Sequence, residues 1–167
     1  DSVVQDEDSI LADSARVVAR HHQRGEDAMV QIALAPCSPF SVTTSLMRRT
    51  AELAEKLDVR LHTHLAETED ENRFCEQMHN CRPLDYLEDC GWLNARTWLA
   101  HGVHFNANEF PRLARAGTAV THFARRQPVV ASGTCPGVAL GEACGGGGSG
   151  GRGPAPDHAA PVMPGGC

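Results

Sequence analysis

The chain has 167 residues, of which 41% are hydrophobic and 22% are charged, a composition typical of a soluble globular protein. Its formal net charge of −6 would repel a polyanion, so nucleic-acid binding is not expected. No apolar run approaches the roughly 18 residues of a membrane span, so no membrane association is expected. The seven cysteines include no C-x-x-C pair, so their spacing suits neither a disulfide framework nor a zinc knuckle. We therefore expect the protein to be located in the reducing cytoplasm.

Helical and strand patterns alternate along the first three quarters of the chain. Apolar residues recur at helical spacing in some stretches, and short apolar runs between them predict buried strands. Strands that alternate with helices predict an α/β fold with a parallel sheet covered by helices. In chain order, the predicted elements are a helix over 10–22, a strand over 29–35, a helix capped by Ser41 or Thr43 that runs to 57, a strand over 59–65, a helix opened by acidic residues of 67–71, a helix from Pro83 to Gly91, a strand over 97–101, a helix over 109–116 and a strand over 118–122.

The last part of the chain has a different composition. Residues 145–151 are almost all glycine, and four prolines follow within residues 154–164. Such a segment buries too little apolar surface to offset its conformational entropy. A phosphate-binding loop is not indicated, because no Gly-Lys-Ser/Thr follows the glycines. We therefore predict a folded domain over residues 1–143 and a low-complexity, disordered tail over residues 144–167.

Histidines stand at or near the ends of three consecutive predicted strands. His62 and His64 share one strand face, because side chains two apart in a strand point the same way. His101 and His122 end the next two strands, and Glu67 follows the first. A core strand that contains satisfied histidines is the alternative for any one of them. Catalytic groups of parallel α/β folds gather where strands end, so three such strands favour a convergent metal or acid–base site.

Four separated motifs resemble one known family. They are APCSPFSV at residues 35–42, HLAE at 64–67, RPLDYLE at 82–88 and WLAHGVH at 98–104. In this order they resemble the amidohydrolase superfamily, in its branch of cytosine-deaminase-like and chlorohydrolase-like enzymes. Within the branch they are most similar to the 8-oxoguanine deaminases, with the triazine hydrolases next.

The resemblance implies a (β/α)₈ barrel with one divalent metal, zinc or iron, and identifies this chain with the C-terminal half of the barrel. His64 is then the metal ligand from the fifth strand. Glu67 shuttles protons between the attacking water, the ring nitrogen and the leaving ammonia, and His101 holds that water and stabilises the oxyanion. His62 and His104 are implied as substrate contacts or as residues that support the ligands.

The chain departs from the family pattern in three places. The family takes two histidine ligands from its first strand, and we expect the chain to begin after that strand. Ala143 stands where the family has a metal-binding aspartate. Residues 123–127 replace a run similar to Cys-Pro-Ser-Ser-Asn, and a reading-frame shift after His122 is one hypothesis for this, which the nucleotide sequence would test.

The resemblance implies a hydrolytic deaminase of a purine-like heterocycle, with conversion of 8-oxoguanine to urate and ammonia as the first candidate. A triazine-type chlorohydrolase or aminohydrolase is the alternative. The chain as it stands is expected to be an incomplete fragment that is inactive alone, or a non-catalytic remnant. Half a barrel leaves open strand edges that favour self-association, so a homo-oligomer is also expected.

Overall fold

The computed structural model describes residues 5–25, 27–122 and 160–162 of the chain. Within these residues, helices and strands alternate as the hydrophobic pattern predicts, and two helices lie between the second and third strands. The helices are α1 (Glu7–His21), α2 (Thr44–Leu57), α3 (Glu69–His79), α4 (Pro83–Asp89) and α5 (Phe110–Ala116), and the strands are β1 (Ala33–Leu34), β2 (Arg60–Leu65), β3 (Thr97–His101), β4 (Ala119–His122) and β5 (Ala160–Val162).

The strands form one sheet in the order β1-β2-β3-β4-β5, so each strand lies beside its predecessor in the chain. The first four strands are parallel, and β5 pairs antiparallel with β4. A sheet that grows in one direction is the arrangement of a (β/α) barrel, whereas a doubly wound sheet reverses its order. The predicted parallel α/β fold is therefore confirmed.

One face of the sheet packs against the helices and forms the core. Leu61, Thr63 and Leu65 alternate along β2 and are fully buried on this face, as is Leu99 on β3. Trp92 is also fully buried, and its indole Nε1–H donates to the Met47 carbonyl at 2.9 Å. This bond fixes α2 to the loop that precedes β3, because a buried indole N–H requires a partner.

Local capping residues set the helix boundaries. Thr43 is the N-cap of α2, and its Oγ1 accepts the Leu46 N–H at 3.0 Å. The other candidate cap, Ser41, instead donates its hydroxyl to the Ser38 carbonyl at 3.0 Å. Pro83 begins α4, where its missing N–H leaves no helix bond unmade.

The predicted strand over residues 29–35 is wrong in extent, because β1 contains Ala33 and Leu34 alone. The residues before it bond to the end of α1 instead of to a neighbouring strand. The Val30 carbonyl accepts the Gln23 N–H at 2.9 Å, and the Ile32 N–H donates to His22 Nδ1 at 3.0 Å. These bonds use the backbone groups that a longer β1 would have paired with β2.

The predicted tail over residues 144–167 lies outside the described residues except for β5. The predicted division at residue 143 therefore stays a prediction. None of the helices in the described residues is long and apolar enough to cross a membrane. The cysteines of the described ranges, Cys37, Cys75, Cys81 and Cys90, are free thiols.

Candidate active site

The candidate site lies at the edge of the sheet where the parallel strands end. The register of β2 and β3 places His62 opposite Trp98, His64 opposite Ala100, and Leu65 opposite His101. Because the first four strands run the same way, the loops that follow β1, β2 and β3 meet at this edge. Two backbone bonds join the loops after β2 and β3: the Gly102 N–H donates to Leu65 O at 3.0 Å, and the His104 N–H donates to Ala66 O at 2.9 Å.

His64 lies on the face of β2 that points away from the helices and the core, which we call the inner face. Its Nδ1 lies 2.5 Å from the carbonyl oxygen of Cys37, in the loop after β1. A carbonyl can only accept, so in the neutral ring Nδ1 carries the proton and Nε2 keeps its lone pair. A histidine held in this tautomer by a carbonyl is the usual form of a metal-binding histidine. The Cys37 carbonyl therefore selects, for the neutral His64 ring, the tautomer that the predicted ligand role requires.

His62 lies two positions earlier on the same face, as the alternation predicts. Its ring stacks on Trp98, with centroids 4.7 Å apart and planes 17° apart, and its Nδ1 lies 3.1 Å from the Trp98 carbonyl. Burial lowers the pKa of His62, and the neighbouring His64 adds to that effect. The stack on the Trp98 indole fixes the His62 ring next to His64. The predicted contact of His62 with substrate stays a prediction.

Glu67 and His101 meet beside His64. The His101 Nε2 lies 3.5 Å from Glu67 Oε2, and the His101 ring stacks on the His64 ring with centroids 5.2 Å apart. The His101 side chain is 11% exposed and that of Glu67 is 30% exposed, so the pair is largely buried but still accessible to solvent. The structure brings three of the predicted site residues, His64, Glu67 and His101, into one cluster.

An unusual backbone conformation directs both members of this pair. Ala66, just before Glu67, has φ of 54°, and His101 has φ of 78°. Regular alternation would place His101 on the core face with Leu99, because His101 pairs with Leu65. The positive φ ends the strand at His101 and turns its ring to the inner face, next to His64. The geometry of the cluster therefore depends on two strained residues.

His104 lies farther out on the loop after β3. Its Nδ1 is 3.4 Å from Glu69 Oε2, at the start of α3. The loop is fixed from below by Arg82, whose Nη2 donates to the His104 carbonyl at 2.9 Å. His104 thus borders the cluster without joining it, and its predicted substrate contact stays a prediction. The side chain of the remaining predicted residue, His122, lies outside the described part of the chain.

Two acidic groups with a role at this edge were not predicted as site residues. The first is Glu109, whose carboxylate accepts Arg82 Nε at 2.9 Å, Arg82 Nη2 at 3.0 Å and the Asn106 N–H at 2.7 Å. Arg82 lies 27 positions before Glu109, so no local pattern joins them. The only available signal was that Arg82 belongs to the RPLDYLE motif.

The second is Glu71, on the first turn of α3. Its Oε2 accepts the Glu67 N–H at 3.0 Å. The pKa of Glu71 is raised to about 7, chiefly by burial. The backbone amides of Glu67 and Ala66 act in the opposite direction, and the nearby Glu67 charge contributes to the rise. The spacing of four positions between the two glutamates was the available signal, but acidic residues are ordinary at the start of a helix.

The cluster fits a metal site only in part. The Nε2 atom of His64 is available and its ring is oriented, which suits a zinc ligand. However, the described residues contain no group of three or more histidine, cysteine, aspartate or glutamate side chains that could hold a metal ion. Further ligands would have to come from outside the described residues. Ala143, at the position of the family's aspartate, also lies outside them.

Comparison with known proteins gives the same family from sequence and from structure. The model of the amidohydrolase family matches residues 3–145. The chain is 60% identical over 137 residues to an 8-oxoguanine deaminase of Pseudomonas aeruginosa, which covers 82% of this chain and 30% of that enzyme. It is 39% identical over 125 residues to a hydroxydechloroatrazine ethylaminohydrolase of a Pseudomonas species, which covers 73% of this chain and 25% of that enzyme.

Among solved structures, the atrazine chlorohydrolase of Arthrobacter aurescens complexed with zinc superposes with a TM-score of 0.80 at 30% identity. The match covers 84% of this chain and 31% of that one. The fold is thus part of an amidohydrolase barrel, as the resemblance implied. The chain spans about 30% of the length of the 8-oxoguanine deaminase that it matches. Because the family model covers most of its residues, the chain belongs to the amidohydrolase family.

Proposed function

We propose that the chain carries part of the active site of a metal-dependent hydrolytic deaminase that acts on a purine-like heterocycle. The observation that carries the proposal is the cluster in which the Glu67–His101 pair, 3.5 Å apart, lies beside the oriented ring of His64. The first substrate candidate is 8-oxoguanine, which hydrolysis at the amino-bearing carbon converts to urate and ammonia. The 60% identity to an 8-oxoguanine deaminase supports this choice.

The carboxylate of Glu67 is the proton carrier of this proposal. A carboxylate can accept one proton from the attacking water and deliver it to the ring nitrogen. It can then carry the second proton, from the added hydroxyl, to the amino group that departs as ammonia. The Glu67 side chain is partly exposed, so the heterocycle can approach it. His101 lies within reach of the same space, where its Nε2 can orient the water and stabilise negative charge on the attacked carbon's oxygen.

His64 would hold the metal ion through Nε2, and zinc is the first candidate, with iron second. When bound, such an ion would lower the pKa of the attacking water towards neutrality. Zinc is present in the related atrazine chlorohydrolase structure, which supports this choice of metal. Because the described residues offer one well-oriented imidazole, the other ligands of this proposal lie outside them.

Triazine hydrolysis is the second candidate. It is supported by the 39% identity to a hydroxydechloroatrazine ethylaminohydrolase and by the superposition on an atrazine chlorohydrolase. The higher identity to the 8-oxoguanine deaminase favours the purine. Both candidates use one water, one proton carrier and a leaving group on a nitrogen heterocycle, so the residues of the cluster serve either reaction.

Location and assembly complete the proposal. A reducing cytoplasm suits seven cysteines that form no C-x-x-C pair. Within the described residues β1 pairs with β2 alone, and an unpaired strand edge favours association with a second copy of the chain.

A chimeric enzyme tests the proposed function. Residues 5–122 of this chain would replace the matching segment of the Pseudomonas aeruginosa 8-oxoguanine deaminase, with which the chain aligns at 60% identity. Ammonia release would be measured with 8-oxoguanine, guanine, cytosine and an aminotriazine. We expect 8-oxoguanine to react fastest. The substitution Glu67→Gln should lower kcat by at least about 100-fold, the usual range for loss of a general acid–base group.

The matched control is Asp70→Asn, which removes a carboxylate that is 88% exposed and paired with Arg73 three positions away. This variant should keep the activity of the parent chimera. A folded, metal-loaded chimera that releases ammonia from none of the four substrates would contradict the deaminase assignment. A chimera that prefers the aminotriazine would select the second candidate.

A further inference from the structure

The turn that carries Glu67 is fixed on two sides. Its carbonyl groups face the loop after β3, where Leu65 O accepts the Gly102 N–H and Ala66 O accepts the His104 N–H. Its N–H side faces α3, where Glu71 Oε2 accepts the Glu67 N–H at 3.0 Å. The positive φ of Ala66 costs on the order of 1 kcal/mol and persists only where its surroundings determine it.

The hydrogen bond that Glu71 accepts differs from an ordinary capping bond by one position in the chain. Thr68 is the N-cap of α3, so Glu71 is its third helical residue. In a capping box this residue accepts the N–H of the N-cap itself. Here it accepts the N–H of the residue one position earlier, which is Glu67. In the described part of the chain the Thr68 side chain makes no capping hydrogen bond either. The contact therefore serves the turn more than the helix.

We propose that Glu71 is a positioning residue that holds the Glu67 carboxylate towards His101 by fixing the backbone of the turn. The proposal depends on the proposed function only in treating the Glu67 carboxylate as the proton carrier, because the positioning itself is a property of the fold. The poorly solvated location supports it: burial raises the pKa of Glu71 to about 7, so this carboxyl occupies an unfavourable place for a charge. A solvent-facing glutamate would cap a helix without that cost.

The consequence concerns the distance between Glu67 and His101. Removal of the acceptor would free the Glu67 N–H and allow the strained turn to relax towards ordinary backbone angles. The direction of the Glu67 side chain follows the backbone, so the 3.5 Å separation from His101 would lengthen. In the proposed reaction this would lower kcat more than it changes KM, because proton transfer requires a short distance and substrate binding does not.

Amide hydrogen exchange on the chain itself tests the positioning without any activity. The variants are Glu71→Met, which keeps the volume but removes the acceptor, and Glu71→Gln, which keeps an acceptor oxygen. We expect Glu71→Met to speed exchange of the Glu67 amide about 10-fold, the loss of one hydrogen bond of ordinary strength. Glu71→Gln should stay within about 3-fold of the parent, and Asp70→Asn should not change it.

A folded Glu71→Met variant with unchanged exchange at Glu67 would overturn the proposal. So would a Glu71→Gln variant that loses protection as fully as Glu71→Met, because the charge and not the acceptor would then be responsible. Neither outcome depends on the reaction, so failure of the deaminase assignment in the chimera stays distinguishable. In an active chimera, Glu71→Met should reduce kcat with little change in KM, and Glu71→Gln should restore it.

Discussion

The pair of Arg82 and Glu109 provides the most direct test of how the loop after β3 is held. The Glu109 side chain is 3% exposed and accepts two bonds from the guanidinium, at 2.9 and 3.0 Å. The substitution Glu109→Gln would leave a charged Arg82 facing a neutral amide. Removing one partner of a buried pair costs about 3–5 kcal/mol. Because the Arg82 side chain is 29% exposed and water can reach it, we expect the lower end, about 3 kcal/mol.

Urea unfolding, followed by fluorescence of the two tryptophans, measures this loss. Arg82→Met and the double variant complete a mutant cycle, in which the double variant should be more stable than the sum of the single losses predicts. The matched control is Asp70→Asn, which breaks an exposed pair with Arg73 and should cost less than about 1 kcal/mol. A Glu109→Gln loss no greater than that of the control, or losses that simply add, would refute the reasoning.

Three further predictions follow from single residues. Burial raises the pKa of Glu71 from 4.5 to about 7, so the folded chain keeps a proton that the unfolded chain releases, and stability falls as the pH rises from about 4.5 to 7. Glu71→Gln should therefore be more stable than the parent at pH 8 by up to about 3 kcal/mol and nearly equal at pH 4, and thermal unfolding with equal pH profiles would contradict this. In calorimetry the chain should bind zinc no more tightly than His64→Ala, and stoichiometric tight binding would reverse that expectation. Gly102 has a φ of 66°, and a Cβ added there would lie 2.7 Å from Val120 Cγ1. Gly102→Ala should therefore lower the free energy of unfolding by about 2–4 kcal/mol, measured by thermal unfolding. In Gly91→Ala the added Cβ would lie 3.8 Å from its nearest neighbour, so this control should lose only the strain energy of its positive φ.

Local signals in the sequence predict most of the fold. The third strand lies where its apolar run indicates, at Thr97–His101, and α5 ends where Gly117 permits a left-handed turn. Helix capping can also be predicted from neighbouring residues, since the threonine before α2 has its hydrogen-bond partner three residues away. These features depend on neighbours in the chain. The extent of β1 does not, because the end of α1 competes for its backbone groups, and only the folded structure shows this competition.

The site was predicted as a set of residue types at strand ends, but its geometry was not. Alternation along β2 correctly places His62 and His64 on one face, since both are inside a regular strand. The same rule would place His101 on the core face, opposite His64. Its positive φ reverses that, and no propensity predicts a positive φ for histidine after a run of regular strand. The strand-end position of His101 therefore predicts that its ring lies near His64, but the backbone conformation that places it there has no signal in the sequence.

The supporting groups escaped prediction because their partners are distant or of a common type. Arg82 and Glu109 lie 27 positions apart, and each alone is an ordinary charged residue at a helix start. Glu71 looks like any acidic residue in the first turn of a helix. What distinguishes these groups is burial and the identity of the backbone atoms that they contact, which depend on how the loops after β2 and β3 meet.

The distribution of backbone strain gives an independent reason to place function at this edge. Among the described residues, four that are not glycine have positive φ. Asp58 and Asn80 are C-caps of helices α2 and α3, a position where the left-handed conformation is ordinary for these residue types. Ala66 and His101 cap no helix, and they flank Glu67 and the ring of His64. Deviations that have no local structural reason coincide with the residues that the family resemblance selects on separate grounds, as expected where a fold retains strain to orient reacting groups.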